Sequence, residues 1–506
     1  MKPLNLVLAT FLVITLSSCG DNPSQHPVKN SNQRPNIILM VADDMGYGEI
    51  SSYGGSKSLT PQLTKLAESG MQFRQFYSAG SVCTPTRISI LTGRYPHRFG
   101  MNNRIFGDNG ACLPDSSSLT IAEILQKEGY STAHMGKWHL GGVRGIDLTD
   151  RNNRHPDADP GPHEHGFDYY QTQVEDRGQR SELIGQQLLY RKGGTILTRN
   201  DQKVPKTDPY FSKHWTDCNG DFAIDMINKL HKEEKPFFLN IWWYVPHTPI
   251  EPAPEPHYSI AKEDPETYQR PVPANSNVSA TDYRINYSSM ISHLDHKVGL
   301  IVQRLEELGI RENTIILFTS DNGGAWGAFN GRLSGGKACY YEGGIRVPGF
   351  VSWPGKIKPN STTDFIGHSN DILPTICAMT GMKIPENAEI DGISLLPVLL
   401  GSKENPEREP LFWVADVFRR TQRTIQPPLA ITHVIRENRW KLACDQNEPL
   451  ALFDLENDPE EAQNLLDLPE YKDLISRLYG ELLEHLAEPS LPRPQPDHRE
   501  VPYVID

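Results

Sequence analysis

The chain has 506 residues, with 50 Lys and Arg against 63 Asp and Glu, a formal net charge of −13. That balance argues against a general nucleic-acid binder, which needs a basic face to neutralise phosphates. Apolar residues at 37% and charged residues at 22% fit a folded globular protein and exclude a disordered tail or a polytopic membrane protein.

The amino terminus has the layout of a targeting signal. Lys2 precedes an apolar run from Leu4 to Leu16, and small residues lead from there to Cys19. The run is short for a permanent bilayer span and suits a secretory signal peptide over residues 1–18. Leu16-Ser17-Ser18-Cys19 is similar to a bacterial lipobox, in which the cysteine is lipidated on its thiol and becomes the mature N-terminus. The polar residues 19–34 then read as a lipidated Cys and flexible tether. The expectation is an exported bacterial lipoprotein, membrane-anchored at the periplasmic face or the cell surface. With Cys19 given to lipid and Cys83 to chemistry, five of the seven cysteines remain: Cys112, Cys218, Cys339, Cys377 and Cys444. Five is odd, no C-x-x-C pair suggests zinc, and a chain of this length does not need disulfide staples.

In chain order, several near-continuous apolar runs end in polar clusters. Asn36 to Val41 leads into Ala42-Asp43-Asp44, Phe237 to Ile241 into Pro246-His247, and Thr314 to Phe318 into Asp321-Asn322. Such runs predict strands buried on both faces of a mostly parallel sheet. Between them, Thr60-Pro61 reads as an N-cap with proline at the first helical position, before Leu63, Leu66 and Ala67 on one face. Ser118 to Gly129 and Tyr287 to Gly309 also carry helical periodicity. The alternation predicts an α/β domain over 35–400, a large mostly parallel mixed sheet flanked by helices, with ligands at the carboxyl ends of the strands. Over 401–506 the pattern changes. Thr432 to Ile435, Trp440 to Ala443 and Leu450 to Asp454 are short strand-like segments before a helix from about Tyr471 to Leu486, which predicts a smaller C-terminal antiparallel sheet plus helix subdomain.

The most informative segment is Cys83-Thr84-Pro85-Thr86-Arg87, followed by Gly93-Arg94. It resembles the type I, formylglycine-dependent sulfatases of the alkaline phosphatase superfamily, whose modification signature is C-x-P-x-R. The resemblance extends in order through Asp43-Asp44, Gly136-Lys137-Trp138-His139, His165-Gly166-Phe167-Asp168, Pro246-His247-Thr248-Pro249, Ser320-Asp321-Asn322-Gly323, Lys337 and Glu342 to Pro348, and it reaches Leu452 to Pro459. It implies that a formylglycine-generating enzyme oxidises Cys83 to formylglycine (3-oxoalanine) during maturation. It also implies a divalent cation, calcium with magnesium as the alternative, held by Asp43, Asp44, Asp321 and Asn322 together with residue 83. Asp-Asp or Asp-Asn at a strand end can equally be a turn or a helix cap. Hard oxygen ligands from two strand ends nevertheless suit calcium or magnesium and suit zinc poorly.

The resemblance further implies a reaction. The hydrated aldehyde at residue 83 attacks sulfur with one hydroxyl and uses the other to expel sulfate, which is covalent nucleophilic catalysis. Asp321 helps deprotonate the attacking hydroxyl while it binds the metal. Arg87, one helical turn after Cys83, holds the diol and the carboxylates. Lys137 and Lys337 clamp sulfate oxygens. His247 serves as general acid and His139 as base, although the two histidines can exchange roles without contradicting the sequence. His165 is read as a loop organiser and Arg346 as structural.

Glu49 stands where such proteins often have Asp. The insert from Val143 to Pro162, with Asp147, Asp150, Arg151, Arg154 and His155, and the glycine-rich loop from Gly323 to Gly336, with Trp326 and Arg332, are expected to border the pocket. The inferred lipid anchor and these acidic and aromatic residues favour a sulfated carbohydrate, such as a polysaccharide-derived oligosaccharide, as substrate. The alternatives are a phosphonate monoester hydrolase or phosphodiesterase of the same superfamily, and a non-catalytic surface glycan-binding lipoprotein.

Overall fold

A computed structural model describes residues 34–103, 112–114, 119–141, 160–174, 183–184, 187–188, 196–200, 202–205, 207–210, 213–272, 278–325, 327–415 and 429–490. The signal segment, Cys19, most of the 143–162 insert and Trp326 lie outside the described residues. The described residues form one compact unit.

Its frame is an eleven-stranded mixed sheet in the order Ser361–Thr363, Met71–Tyr77, Arg346–Ser352, Thr314–Ser320, Asn36–Ala42, Phe237–Trp242, Ser131–Lys137, Tyr169–Val174, Ile196–Arg199 and Gln202–Lys203, with Gly367–His368 also paired to Met71–Tyr77. The five central strands, from Thr314–Ser320 to Tyr169–Val174, run parallel. Antiparallel strands join only outside them. The apolar runs behave as strands buried on both faces must, dividing alternate residues between two cores. Ile37, Leu39 and Val41 pack with Ile88, Leu91, Ile124 and Ile376 on one side. Ile38, Met40 and Ala42 pack with Leu63, Ile227, Ile291 and Leu294 on the other. Each such fully buried side chain contributes about 1.5–3 kcal/mol.

The helices differ from the sequence expectations in informative ways. The long helix begins at Ala280, seven positions before the predicted Tyr287, because Ser279 accepts the Asp282 N–H and supplies the cap. Helix Ile121–Lys127 is closed by a capping box between Thr120 and Glu123. Thr60 starts helix Pro61–Glu68 but does not cap it; its hydroxyl is committed to Ser51 N–H and Ser56 C=O. The cap comes from Asp295 in the long helix, whose carboxylate accepts the N–H of Gln62 at 3.1 Å and of Leu63 at 2.6 Å. A helix end closed from a distant element is invisible to local pattern reading.

The C-terminal sheet has four antiparallel strands where three were predicted: Leu411–Val414, His433–Glu437, Trp440–Cys444 and Pro449–Asp454. One face is covered by helix Lys472–Leu486 through Leu478 and Leu482. The other packs Trp413, Val434, Ala443 and Phe453 against Tyr77, Tyr340, Tyr341 and Ile345 of the larger sheet's side. The six described cysteines, Cys83, Cys112, Cys218, Cys339, Cys377 and Cys444, form no disulfide.

Replacing Asp295 with Ala should destabilise the protein by about 1–2 kcal/mol through loss of the cap, read as a lower urea midpoint.

Candidate active site

Four adjacent parallel strands end on one line, and each delivers polar residues there. Ala42 pairs with Ser320, Val41 with Trp242, and Gly136 with Trp242, so the next residues along emerge side by side. Gly136 has φ +95°, and a Cβ there would lie 1.8 Å from the Trp242 carbonyl oxygen; only glycine lets Lys137 follow at this height. Three non-glycine residues around the site also adopt left-handed backbone: Asp44 at φ 66°, His139 at φ 57° and Ala338 at φ 69°. Backbone held in a sparsely populated region of this kind is over-determined by its surroundings.

Backbone hydrogen bonds fix the turns. Asp321 N–H donates to Ala42 C=O at 3.0 Å, and Asp43 N–H to Val245 C=O at 3.1 Å. Asp44 N–H donates to Asp321 Oδ1 at 3.1 Å, and Asn322 Nδ2 to Asp44 Oδ1 at 2.8 Å. Ser320, not singled out from the sequence, ties the two turns together. Its hydroxyl accepts the Met45 N–H and donates to the Asn322 carbonyl, both at 3.0 Å.

Cys83 begins helix Cys83–Thr92, every residue of which is buried. Its side chain therefore sits at the positive end of a helix dipole. Cys83 Sγ lies 3.5 Å from Asp43 Oδ1 and 3.4 Å from Lys137 Nζ. One turn on, Arg87 is wholly buried; its Nε and a terminal nitrogen donate to Asp321 Oδ2 at 3.1 and 2.6 Å. The same guanidinium lies 3.6 Å from Asp43, donates to the Lys137 carbonyl at 3.0 Å and sits over Trp242 at 5.0 Å. Lys137 Nζ pairs with Asp43 Oδ2 at 2.9 Å, Lys337 Nζ with Asp44 Oδ2 at 2.7 Å, and His247 Nε2 is 3.6 Å from Asp44 Oδ2.

Three buried carboxylates at such distances perturb one another. Burial, with Asp43 and Asp44 alongside, pushes the Asp321 carboxyl up to about 7. Asp43 is held well below the usual carboxylate range: burial opposes this, and Lys137, His247, Arg87 and Lys337 outweigh it. Burial pushes the Cys83 thiol up and the His247 imidazole down. A divalent cation fits this donor set. Asp43, Asp44, Cys83 and His247 place ligand atoms within 4.8 Å of one another, and Asn322 Oδ1 is buried without a hydrogen-bond partner among the described residues. The oxygen donors among them, from Asp43, Asp44 and Asn322, suit a hard ion.

Of the residues predicted from sequence, Asp43, Asp44, Cys83, Arg87, Lys137, His247, Asp321, Asn322 and Lys337 are thus brought into one cluster. His139 is buried two residues past Lys137, its carbonyl accepting the Thr84 hydroxyl at 3.1 Å. His165 stands apart, its Nε2 3.0 Å from the Leu113 carbonyl, and Arg346 binds the Arg74 carbonyl. Glu49 is buried in a two-point pair with Arg270, both contacts 2.8 Å, and accepts the Phe329 N–H. It therefore anchors the glycine-rich loop. Arg332 is exposed and reaches Glu460 at 3.2 Å.

This fold, with a buried cysteine at a helix N-terminus beside a carboxylate cradle at the strand ends, is that of the alkaline phosphatase superfamily. The sulfatase family model matches residues 35–382, and a second, described as N-sulphoglucosamine sulphohydrolase, C-terminal, matches residues 324–488. The chain belongs to the sulfatase family and is a type I sulfatase, a sulfuric ester hydrolase. It is 31% identical over 457 residues to arylsulfatase A of Homo sapiens, covering 85% of this chain and 83% of that one. It is 31% identical over 382 residues to N-acetylgalactosamine-6-sulfatase of Rattus norvegicus, covering 73% and 66%. Among solved structures, Ps i-CgsB in complex with k-i-k-neocarrahexaose superposes with a TM-score of 0.74 at 27% identity, covering 92% of this chain and 96% of that one.

With Cys83 left as the thiol, Asp321→Asn should weaken divalent-cation binding by about 100-fold, measured by titration calorimetry with calcium and with magnesium.

Proposed function

We propose that this sulfatase hydrolyses sulfate esters of a carbohydrate, using a formylglycine made from Cys83 and a divalent cation. The observation that carries the reading is the position of Cys83, fixed at a helix N-terminus between Asp43 and Lys137. As formylglycine, residue 83 would supply the nucleophile for sulfuryl transfer. The cation, held by Asp43, Asp44, Asp321 and Asn322, would supply Lewis-acid polarisation of a sulfate oxygen.

The chain's own residues do the rest. Lys137 and Lys337 bring two ammonium groups to the cluster and bind the remaining sulfate oxygens as point charges. Arg87 holds Asp321 by two hydrogen bonds, which orients that carboxylate toward residue 83 to take up its proton. His247 Nδ1 lies 2.7 Å from the Thr248 carbonyl oxygen, which places a ring proton on Nδ1 and leaves Nε2 facing the cluster; Nε2 serves as general acid to the leaving oxygen when the ring is the imidazolium. His139 is assigned the opposite proton transfer. Burial of the cluster excludes water and strengthens each of these interactions.

The carbohydrate assignment is supported by the N-acetylgalactosamine-6-sulfatase relative and by the structure solved with k-i-k-neocarrahexaose. Peptide mass spectrometry of protein exported from a host with the modifying enzyme should find the aldehyde, in place of the thiol, at residue 83. Cys83→Ala should abolish turnover. Sulfate release should be greater from sulfated oligosaccharides than from 4-nitrophenyl sulfate; turnover confined to aryl sulfates overturns the carbohydrate assignment, and faster turnover of a matched phosphate ester overturns the sulfate one. Lipidation at Cys19 is part of the same proposal. Cys19→Ser should move the protein from the membrane fraction to the soluble fraction on cell fractionation.

A further inference from the structure

The C-terminal sheet reaches toward the active site through a group that the reaction does not use. Lys441, in its third strand, is fully buried and lies between two fully buried carboxylates, 3.1 Å from Glu342 and 2.8 Å from Glu461. Glu342 is held from three further directions. Tyr77 donates its hydroxyl to Oε2 at 2.6 Å, Arg346 approaches to 3.6 Å, and the Glu342 N–H donates to Glu461 Oε2 at 2.6 Å. Burial pushes the Glu461 carboxyl up to about 7. Burial pushes Glu342 the same way, but Lys441, Arg436 and Arg346 outweigh it and bring Glu342 down to about 2. Buried ion pairs contribute little net stability, because desolvation offsets their attraction, and apolar replacements are often as stable. What such a pair does supply is a fixed geometry, and here the geometry leads to the catalytic cluster.

Glu342 opens the short helix Glu342–Ile345, whose two glycines pack with no free space. Gly343 N–H donates to Ser334 C=O at 2.7 Å, and Gly344 C=O accepts the Gly323 N–H at 2.9 Å. Gly323 directly follows Asn322. A Cβ on Gly344 would lie 1.9 Å from the Cys339 carbonyl oxygen, and one on Gly323 would lie 1.9 Å from the Gly343 carbonyl oxygen. The loop between these contacts carries Lys337, whose N–H donates to Gly324 C=O at 3.0 Å, while Ala338 N–H reaches Ser81 C=O at 2.7 Å beside Cys83. The same turn therefore touches the backbone on either side of Lys337 and next to Asn322.

We propose that Lys441 is a positioning residue for the catalytic centre: its ammonium, clamped between Glu342 and Glu461, fixes the glycine turn that sets Lys337 and Asn322. The inference rests on the assignment of Lys337 to sulfate and Asn322 to the cation. In the full-length chain, Lys441→Met should weaken binding of inorganic sulfate to the calcium-loaded protein by about tenfold, and weaken calcium binding in the same direction, by titration calorimetry well below its unfolding midpoint. Leu442→Ala, which weakens the same sheet on its other face without touching Glu342, should leave both affinities within about twofold. Unchanged affinities in Lys441→Met, or equal losses in Leu442→Ala, would overturn the proposal and leave Lys441 a purely structural residue. If Lys441→Met does not fold, Glu461→Gln carries the same readouts; unchanged affinities there also overturn it. Lys337→Ala is the reference and should weaken sulfate at least as much as Lys441→Met. If Lys337→Ala leaves sulfate binding intact, the assignment of Lys337 fails, and the linkage from Lys441 stands or falls on calcium affinity through Asn322.

Discussion

The structure is organised around mutual repulsion among Asp43, Asp44 and Asp321, three carboxylates in one buried cluster. Taken out of water, like charges at this separation cannot coexist without compensation. The fold supplies that compensation from every side: Arg87 from the buried helix, Lys137 from a neighbouring strand end, Lys337 from a loop across the cluster. No single segment could do this. The parallel sheet can, because consecutive strand ends sit one hydrogen-bond spacing apart and point the same way.

This constraint also explains why so much of the site was legible in the sequence. An apolar run that stops at Asp43-Asp44 or Asp321-Asn322 declares both a buried strand and a polar group at its end, and the parallel sheet makes those ends converge. Cys83 and Arg87 were legible through the resemblance of Cys83-Thr84-Pro85-Thr86-Arg87 to the sulfatase signature, and the helix Cys83–Thr92 places them one turn apart. The cap of helix Pro61–Glu68 was not, since Asp295, which supplies it, lies more than 200 residues away in sequence. The role of Glu49 was hidden for a similar reason. From sequence it was only a position where such proteins often have Asp, whereas its partner Arg270 and its bond to Phe329 make it a loop anchor. The strand Leu411–Val414 escaped because four residues carry too little periodicity.

The C-terminal sheet is tied to the larger sheet's side in two ways. Its apolar face, with Trp413 and Phe453, excludes water, and Trp413 Nε1 donates to the Ser78 carbonyl at 2.7 Å. Its polar contribution is concentrated at Lys441. Apolar packing tolerates small shifts in register, whereas charge-assisted hydrogen bonds do not. A sheet joined by both can be stable and still hold a distant loop at a defined place. The acidic balance of the whole chain therefore says little about the cluster, which gathers the buried Arg87 and Lys137 and the half-buried Lys337 around Asp43 and Asp44.

The burial of helix Cys83–Thr92 sets an order of events. Cys83 has no exposed surface, and its helix is enclosed along its whole length. An enzyme that alters this side chain must bind several residues on either side of it in an open form. In the folded chain such an opening would break the Arg87–Asp321 pair and the apolar contacts of Ile88 and Leu91, at a cost approaching that of global unfolding. Conversion of Cys83 by another enzyme would therefore have to precede closure of the sheet, and the yield of competent protein would be set by a race between that conversion and folding.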